Sequence, residues 1–342
     1  MKYNLGRKGI FVFSDAAGAN SVLALVDNLI QEGFVVGEDF LIFTNSIGIY
    51  PTEYEGIVKR VDFDSKYFEK IIDSFCPNYL FSGTSLNDYD HKWRKLAINK
   101  GMKTYAFIDH WGNYLKRFTF ENETIFPDEI WVINEIAKKE AIADGIPSKM
   151  LIVSSNPYYG KVKKFVPQIT KEEFFDLINL PKDKKVILFV CDNLRESFAK
   201  DENGKYILGY DEYSVLEDIL ESFYELNKSK LVDFSKYIFI IKLHPRSNAN
   251  KFDYLFKNEK YKFLNIFVKQ KIDPLLINYF SDYVLGMFSN MIIESLLIGK
   301  KVLRVQAGQI GNDYLKFNEI KSEIVINKNE LTNEIYELLG CH

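Results

Sequence analysis

The chain has 342 residues, 47% of them hydrophobic, more than a single core usually organises, so two domains of similar size are expected. Its 44 Lys and Arg against 47 Asp and Glu give a net charge of -3 scattered along the chain, which excludes a basic nucleic-acid-binding face and an acidic tail. The three cysteines, Cys76, Cys191 and Cys341, have neither disulfide-framework nor zinc spacing, and no apolar run has the length of a signal peptide's core or a membrane span, so a reducing, cytoplasmic setting is expected.

In chain order, residues 10–13 form a short apolar run of the kind expected for a strand buried on both faces. It leads into Ser14, Asp15 and the small residues 16–19, and then into a helix expected over 20–30. Strands are expected at 40–43 and 56–61, a helix at 67–75, and a strand at 79–81 that runs out at Ser82, Gly83 and Thr84. A helix over 92–100 stops at Gly101, a residue suited to the left-handed turn after a helix. Strands at 104–108, 129–133 and 150–153 complete the first half. Strands separated by helical stretches imply crossover connections and a parallel sheet.

Between residues 156 and 181 the rhythm breaks: three prolines and a polar helix over 171–179 mark a passage between domains, 1–160 and 161–342. A second alternation follows, with strands expected at 185–190, 237–241, 265–268, 283–285 and 302–305. Helices are expected at 212–227, at 291–298 (closed by Gly299) and at 331–339.

In open parallel sheets, ligands bind beyond the carboxyl ends of the strands. The strand at 237–241 runs into Lys242, His244, Pro245 and Arg246, and the strand at 283–285 runs into Phe288, Ser289 and Asn290. The latter open a helix that carries Glu294. A helix N-terminus presents free N–H groups to an anion, and His244 and Arg246 could donate to the same phosphate, with Glu294 accepting from ribose hydroxyls. The competing reading is structural: Ser289 as a helix cap, His244-Pro245 as a turn.

Residues 242–245 (Lys-Leu-His-Pro), followed by 282–294 and 299–302, resemble the donor half of GT-B glycosyltransferases. They are most similar to bacterial sialyltransferases and polysialyltransferases, with a related pattern in CDP-glycerol glycerophosphotransferases. The resemblance implies a GT-B α/β fold: two Rossmann-like domains, parallel sheets facing a central cleft, the N-terminal one for the acceptor and the C-terminal one for the donor. It implies that His244 and Ser289 hold the donor phosphate. The activity it implies is metal-independent, inverting transfer of a CMP-activated nonulosonic acid to a glycan, lipid-linked glycan or protein acceptor. No cofactor is expected beyond that nucleotide-sugar donor; peripheral membrane contact and a homo-oligomer remain open. The chain departs from the family in lacking an acidic-acidic-Gly motif for the catalytic base. Alternatives are a UDP-sugar or CDP-polyol transferase, a nucleotide-sugar hydrolase or 2-epimerase of the same fold, and a non-catalytic GT-B module.

The base is therefore sought in the first half. By analogy with inverting GT-B enzymes, Asp15 on the first loop is one choice, with Gly18 allowing close approach of a ligand or of the other domain; the competing reading is that Asp15 or Asn20 only caps the first helix. Asp90, in the hydroxyl- and carboxylate-rich stretch 82–91, is a second, and an Asp109/His110 pair beside Trp111 is a third, with Trp111 placed to stack on a sugar or to sit in the core. No glycine-rich dinucleotide fingerprint, Walker loop, Asp-x-Asp or His-rich metal motif is present.

Overall fold

The computed structural model describes residues 5–198, 200, 204, 206–311, 313–317 and 322–340, so Cys341 lies outside the described residues. The chain divides into two units, Met1–Lys161 and Val162–His342. In the first, the strands are β1 (Gly9–Val12), β2 (Phe40–Thr44), β3 (Val58–Arg60), β4 (Tyr79–Ser82), β5 (Lys103–Ile108), β6 (Thr119–Phe120), β7 (Glu123–Thr124), β8 (Glu129–Val132) and β9 (Leu151–Val153). Its helices are α1 (Ala16–Gln31), α2 (Ser65–Phe75), α3 (Asp88–Asn99) and α4 (Glu135–Ala143), and α5 (Pro157–Lys163) carries the chain over the boundary.

Seven strands form one parallel sheet in the order β3-β2-β1-β4-β5-β8-β9, while β6 and β7 pair as a small antiparallel hairpin. The continuous apolar runs suit strands covered on both faces. Ile10, Val12, Leu41, Phe43 and Leu80 pack against Phe68 and Ile72 of α2 and Tyr89, Trp93, Leu96 and Ala97 of α3. Trp93 stacks on Phe43 at 5.4 Å and tilts against Phe68 at 4.2 Å. A side chain of this kind contributes at least about 1.5–3 kcal/mol by burial.

The second unit contains α6 (Lys171–Leu177), β10 (Lys185–Val190), α7 (Leu194–Ser197), α8 (Glu212–Lys228), β11 (Tyr237–Lys242), β12 (Ile266–Lys269) and α9 (Pro274–Phe280). It continues with β13 (Tyr283–Gly286), α10 (Asn290–Leu297), β14 (Lys301–Val305), β15 (Glu323–Val325) and α11 (Leu331–Leu339). Its sheet is six-stranded and parallel, ordered β12-β11-β10-β13-β14-β15. Phe223 of α8 meets Phe239 of β11 edge-on at 5.2 Å, and the Tyr283 hydroxyl donates to the Leu339 carbonyl at the end of α11. The α/β class and the two parallel sheets are those the sequence implies.

Two helices begin four residues earlier than the apolar periodicity suggests. Asp15 caps α1 by accepting from the Gly18 N–H at 2.7 Å, so the small residues form its first turn rather than a loop. Asn87 caps α3 by accepting from Tyr89 N–H at 3.1 Å, which places Asp90 and His91 inside a helix. Among the described residues no helix is long and apolar enough to cross a membrane.

Strand order reverses between β1 and β4 in the first sheet and between β10 and β13 in the second. Such switch points open a crevice at the carboxyl edge, which is where ligands bind in sheets of this kind.

Candidate functional site

In the C-terminal unit, β11 delivers His244, Pro245 and Arg246 to this edge. Gln270 ties the turn down, its Nε2 donating to the carbonyls of Pro245 at 3.0 Å and Ser247 at 2.6 Å. His244 Nδ1 accepts from the Arg246 N–H at 3.2 Å, so a neutral ring carries its proton on Nε2, where it has no partner among the described residues. Burial, with Arg246 and Lys242 nearby, holds its pKa down at about 4, which keeps the imidazole neutral at pH 7. Arg246 is exposed, and its guanidinium has no hydrogen-bond or ion-pair partner among the described residues. Lys242 is different: it is buried, with Nζ donating to the Leu243 carbonyl at 3.0 Å, and burial lowers its pKa. It stiffens the strand end rather than reaching outward.

Beyond β13, Ser289 caps α10, its Oγ accepting from Met291 N–H at 3.4 Å. Asn290, the first residue of that helix, has a buried Oδ1 without a partner among the described residues. Glu294 is 4% exposed and receives Asn278 Nδ2 at 3.4 Å, so its carboxylate lies in the packing between α10 and α9. Phe288 packs against Tyr314 at 5.4 Å and edge-on to Phe198 at 6.1 Å, an aromatic group at the mouth of the edge. Gly286 ends β13 because a Cβ there would lie 2.6 Å from Ile292 Cδ1 and 3.2 Å from the Val190 carbonyl.

Strand-end reasoning missed the residues directly after β10. Asp192 is buried, and its Oδ2 accepts the Phe288 N–H at 3.4 Å. Asn193 Oδ1 accepts from Ser247 Oγ at 2.9 Å and from Lys251 Nζ at 3.4 Å. Lys251 pairs with Glu212, both almost wholly buried, and Glu212 also accepts the N–H groups of Leu194 and Arg195 at the start of α7. The signal was available: Asp192-Asn193 directly follows the apolar run 186–191.

In the N-terminal unit, three carboxylates and two arginines meet beyond β1, β4 and β5. Asp90 is fully buried, accepting from Ser14 Oγ at 2.8 Å and Ser85 N–H at 3.0 Å. Burial raises its pKa, while the Arg94 charge works the other way. Ser14 Oγ also lies 2.6 Å from Ser85 Oγ. Arg94, fully buried too, donates to Ser82 Oγ at 3.3 Å and to the carbonyls of Gly83 and Arg117 at 3.2 and 3.1 Å.

The expected Asp109/His110 pair does not form. Arg117 reaches back to Asp109 at 3.1 Å, and a guanidinium is a stronger partner for a buried carboxylate than a neutral imidazole. His110 Nδ1 lies 2.9 Å from the Trp111 carbonyl, and burial pushes the ring's pKa down. Trp111 is 4% exposed with Nε1 donating to Asn134 Oδ1 at 3.2 Å, so it belongs to the core and not to a sugar-stacking platform. Gly18 also plays a packing role: a Cβ there would sit 3.7 Å from Gly83 Cα and 3.0 Å from Asp15 Oδ1, so it lets α1 approach the loop after β4.

Asp15 stands apart from the other acids. It is only half-buried, Oδ1 takes the Gly18 N–H, and Oδ2 has no partner among the described residues. Burial and the neighbouring Asp109 and Asp90 charges raise its pKa to about 6, against the Gly18 hydrogen bond and Arg117, which lower it. A carboxylate with this pKa and an open oxygen has the properties of a general base at neutral pH. Among the described residues, no group of three or more His, Cys, Asp or Glu side chains is arranged to hold a metal ion.

No family model and no curated protein matches the sequence. Solved structures do share the fold. UDP-GlcNAc 2-epimerase from Neisseria meningitidis bound to UDP-GlcNAc superposes with a TM-score of 0.62 at 13% identity, covering 98% of this chain and 100% of that one. The enzyme from Methanocaldococcus jannaschii with UDP-GlcNAc and UDP gives 0.59 at 13%, covering 97% and 92%. Anabaena HepE with UDP and glucose gives 0.57 at 12%, covering 97% and 90%. The fold is therefore GT-B-like.

Proposed function

We propose that the protein acts on a nucleoside diphosphate sugar of the UDP-N-acetylhexosamine class and cleaves it without an acceptor, as a 2-epimerase or hydrolase does. The observation that carries this reading is the full-length likeness to UDP-GlcNAc 2-epimerase structures. The two strand-end clusters supply chemistry that fits it. In the C-terminal unit, His244 Nε2–H, Arg246 and the α10 N-terminus are donors for a diphosphate. In the N-terminal unit, Asp15 is the base.

Epimerisation at C2 requires a proton to leave a carbon that is not acidic by itself. Asp15 takes the C2 proton while the C–H electron pair forms a C1–C2 double bond and the C1–O bond breaks. The leaving electron pair moves onto the β-phosphate oxygen, where preorganised donors stabilise the growing charge. The epimer forms when the β-phosphate oxygen bonds again to C1 while C2 takes a proton from solvent on its opposite face and Asp15 releases its own proton to solvent; water adding to C1 in place of UDP gives the free sugar.

A second reading, transfer of a nonulosonic acid from a CMP-linked donor, draws on His244-Pro245 and Ser289 flanking the switch point. Incubating the full chain with UDP-GlcNAc alone, and separately with a CMP-linked nonulosonic acid with and without acceptor glycan, distinguishes the two. The expected outcome is consumption of UDP-GlcNAc without acceptor. Consumption of the CMP donor only when acceptor is present would replace this reading with transfer.

A further inference from the structure

We propose that Asp192 is a donor-binding residue that enters the complex as its carboxylic acid, giving its O–H to a phosphate oxygen of the nucleotide at the N-terminus of α10. This rests on the nucleotide reading above. The argument begins with position. Asp192 lies at the end of β10, on one side of the switch point, and its Oδ2 already accepts the Phe288 N–H at 3.4 Å, with the Ser289 N–H also in its reach. These are the groups that a phosphate at this helix end would use. An ionised Asp192 and a phosphate therefore compete for one pair of donors, whereas a protonated Asp192 becomes a donor itself.

The surroundings do not hold Asp192 as an anion. From α8 it faces Glu212, whose charge is balanced by Lys251 in a buried pair. From β14 it faces Arg304, whose guanidinium is engaged by both oxygens of Asp313. Tyr210, in the segment before α8, and Cys191, beside it, are both kept neutral by burial. With those cations already committed, burial pushes the Asp192 carboxyl up to about 7. The segment after β14 brings another unsatisfied group to the β13–α10 loop: Gln306 is fully buried, its Nε2 donates to the Met287 carbonyl at 3.2 Å, and its Oε1 has no partner among the described residues.

Binding above neutral pH then draws one proton from solvent onto Asp192 and transfers none to the nucleotide. Calorimetry of UDP-glucose binding to the full chain tests this, because that ligand's pyrophosphate diester does not titrate between about pH 6 and 9, and neither does His244. At about pH 8, titrations in buffers of different ionisation enthalpy should show uptake approaching one proton. The Kd should rise toward about tenfold per pH unit above neutrality. Asp192→Asn, which keeps a hydrogen-bond donor without the charge, should bind with a flat profile over that range. Zero proton uptake by the wild-type chain, or the same pH slope in both proteins, overturns the proposal while leaving nucleotide binding intact. Absence of binding at every pH in both proteins contradicts the nucleotide reading and this proposal with it. Should Asp192→Asn not fold, the proton uptake of the wild-type chain decides alone.

Discussion

At the switch point of its sheet the N-terminal unit gathers Asp15, Asp90 and Asp109, restrained by Arg94 and Arg117. At the corresponding point the C-terminal unit presents His244 and Arg246 after β11 and the N-terminus of α10 after β13, with Asp192 facing that helix. Both sheets are parallel and both reverse strand order next to their first strand. The sheet fixes where a ligand binds; the few residues after each strand fix what is bound and what is done to it. On the function proposed above, one edge would take up a proton and the other hold anionic oxygen.

The strongest way to break this contrast is Asp15→Asn. Asparagine keeps the α1 cap, so the fold should stand. Turnover should fall by about 10²–10⁴-fold with UDP affinity unchanged, measured by steady-state kinetics beside calorimetry. If affinity falls with turnover, the division between the two edges is lost. In the C-terminal unit, Lys251→Met leaves Glu212 buried without its cation. Urea unfolding should show that unit destabilised by about 3–5 kcal/mol.

A smaller effect is expected from His244→Ala. The lost hydrogen bond to an anion is worth about 1.5–3 kcal/mol, roughly ten- to a hundredfold in UDP affinity. The pH profiles sharpen the comparison further. Because Asp15 works deprotonated and its pKa is raised to about 6, kcat/KM should rise with pH through that value and fall below it. His244, held at about 4, should contribute no inflection between pH 6 and 7. The smallest change is Gly83→Ala: a Cβ would meet Asp90 Oδ2 at 3.3 Å and Gly18 Cα at 3.4 Å, costing about 1–3 kcal/mol in thermal or denaturant unfolding.

Much of the fold was legible because strands buried on both faces leave uninterrupted apolar runs, as at 186–190, within a strand expected and found at 185–190. Helix starts were less so. The first turns of α1 and α3 are small or polar and read as loops; the sequence offers Asp15 as a helix cap, which the structure bears out, but gives no such sign for Asn87. The hairpin β6–β7 and the edge strand β15 are only two or three residues long and carry no periodicity to read.

At the site, proximity in sequence misled. Asp109 and His110 are neighbours in the chain, yet Asp109 pairs with Arg117, eight residues on. Asp192, Glu212 and Lys251 come from three separate segments, and no local pattern marks the buried pairing of the last two. The strand-end rule that found His244 and Ser289 would have reached Asp192 as well, had it been applied to β10.

The central claim is that the carboxylate edge does proton chemistry on a sugar whose nucleotide is held elsewhere in the chain. Incubating the protein with UDP-GlcNAc in deuterated water, without acceptor, and following C2 by NMR tests it most directly. The account predicts deuterium at C2 with the wild-type chain, and its loss in Asp15→Asn while UDP still binds. Cleavage of the donor with C2 unexchanged, or exchange that survives Asp15→Asn, would contradict it.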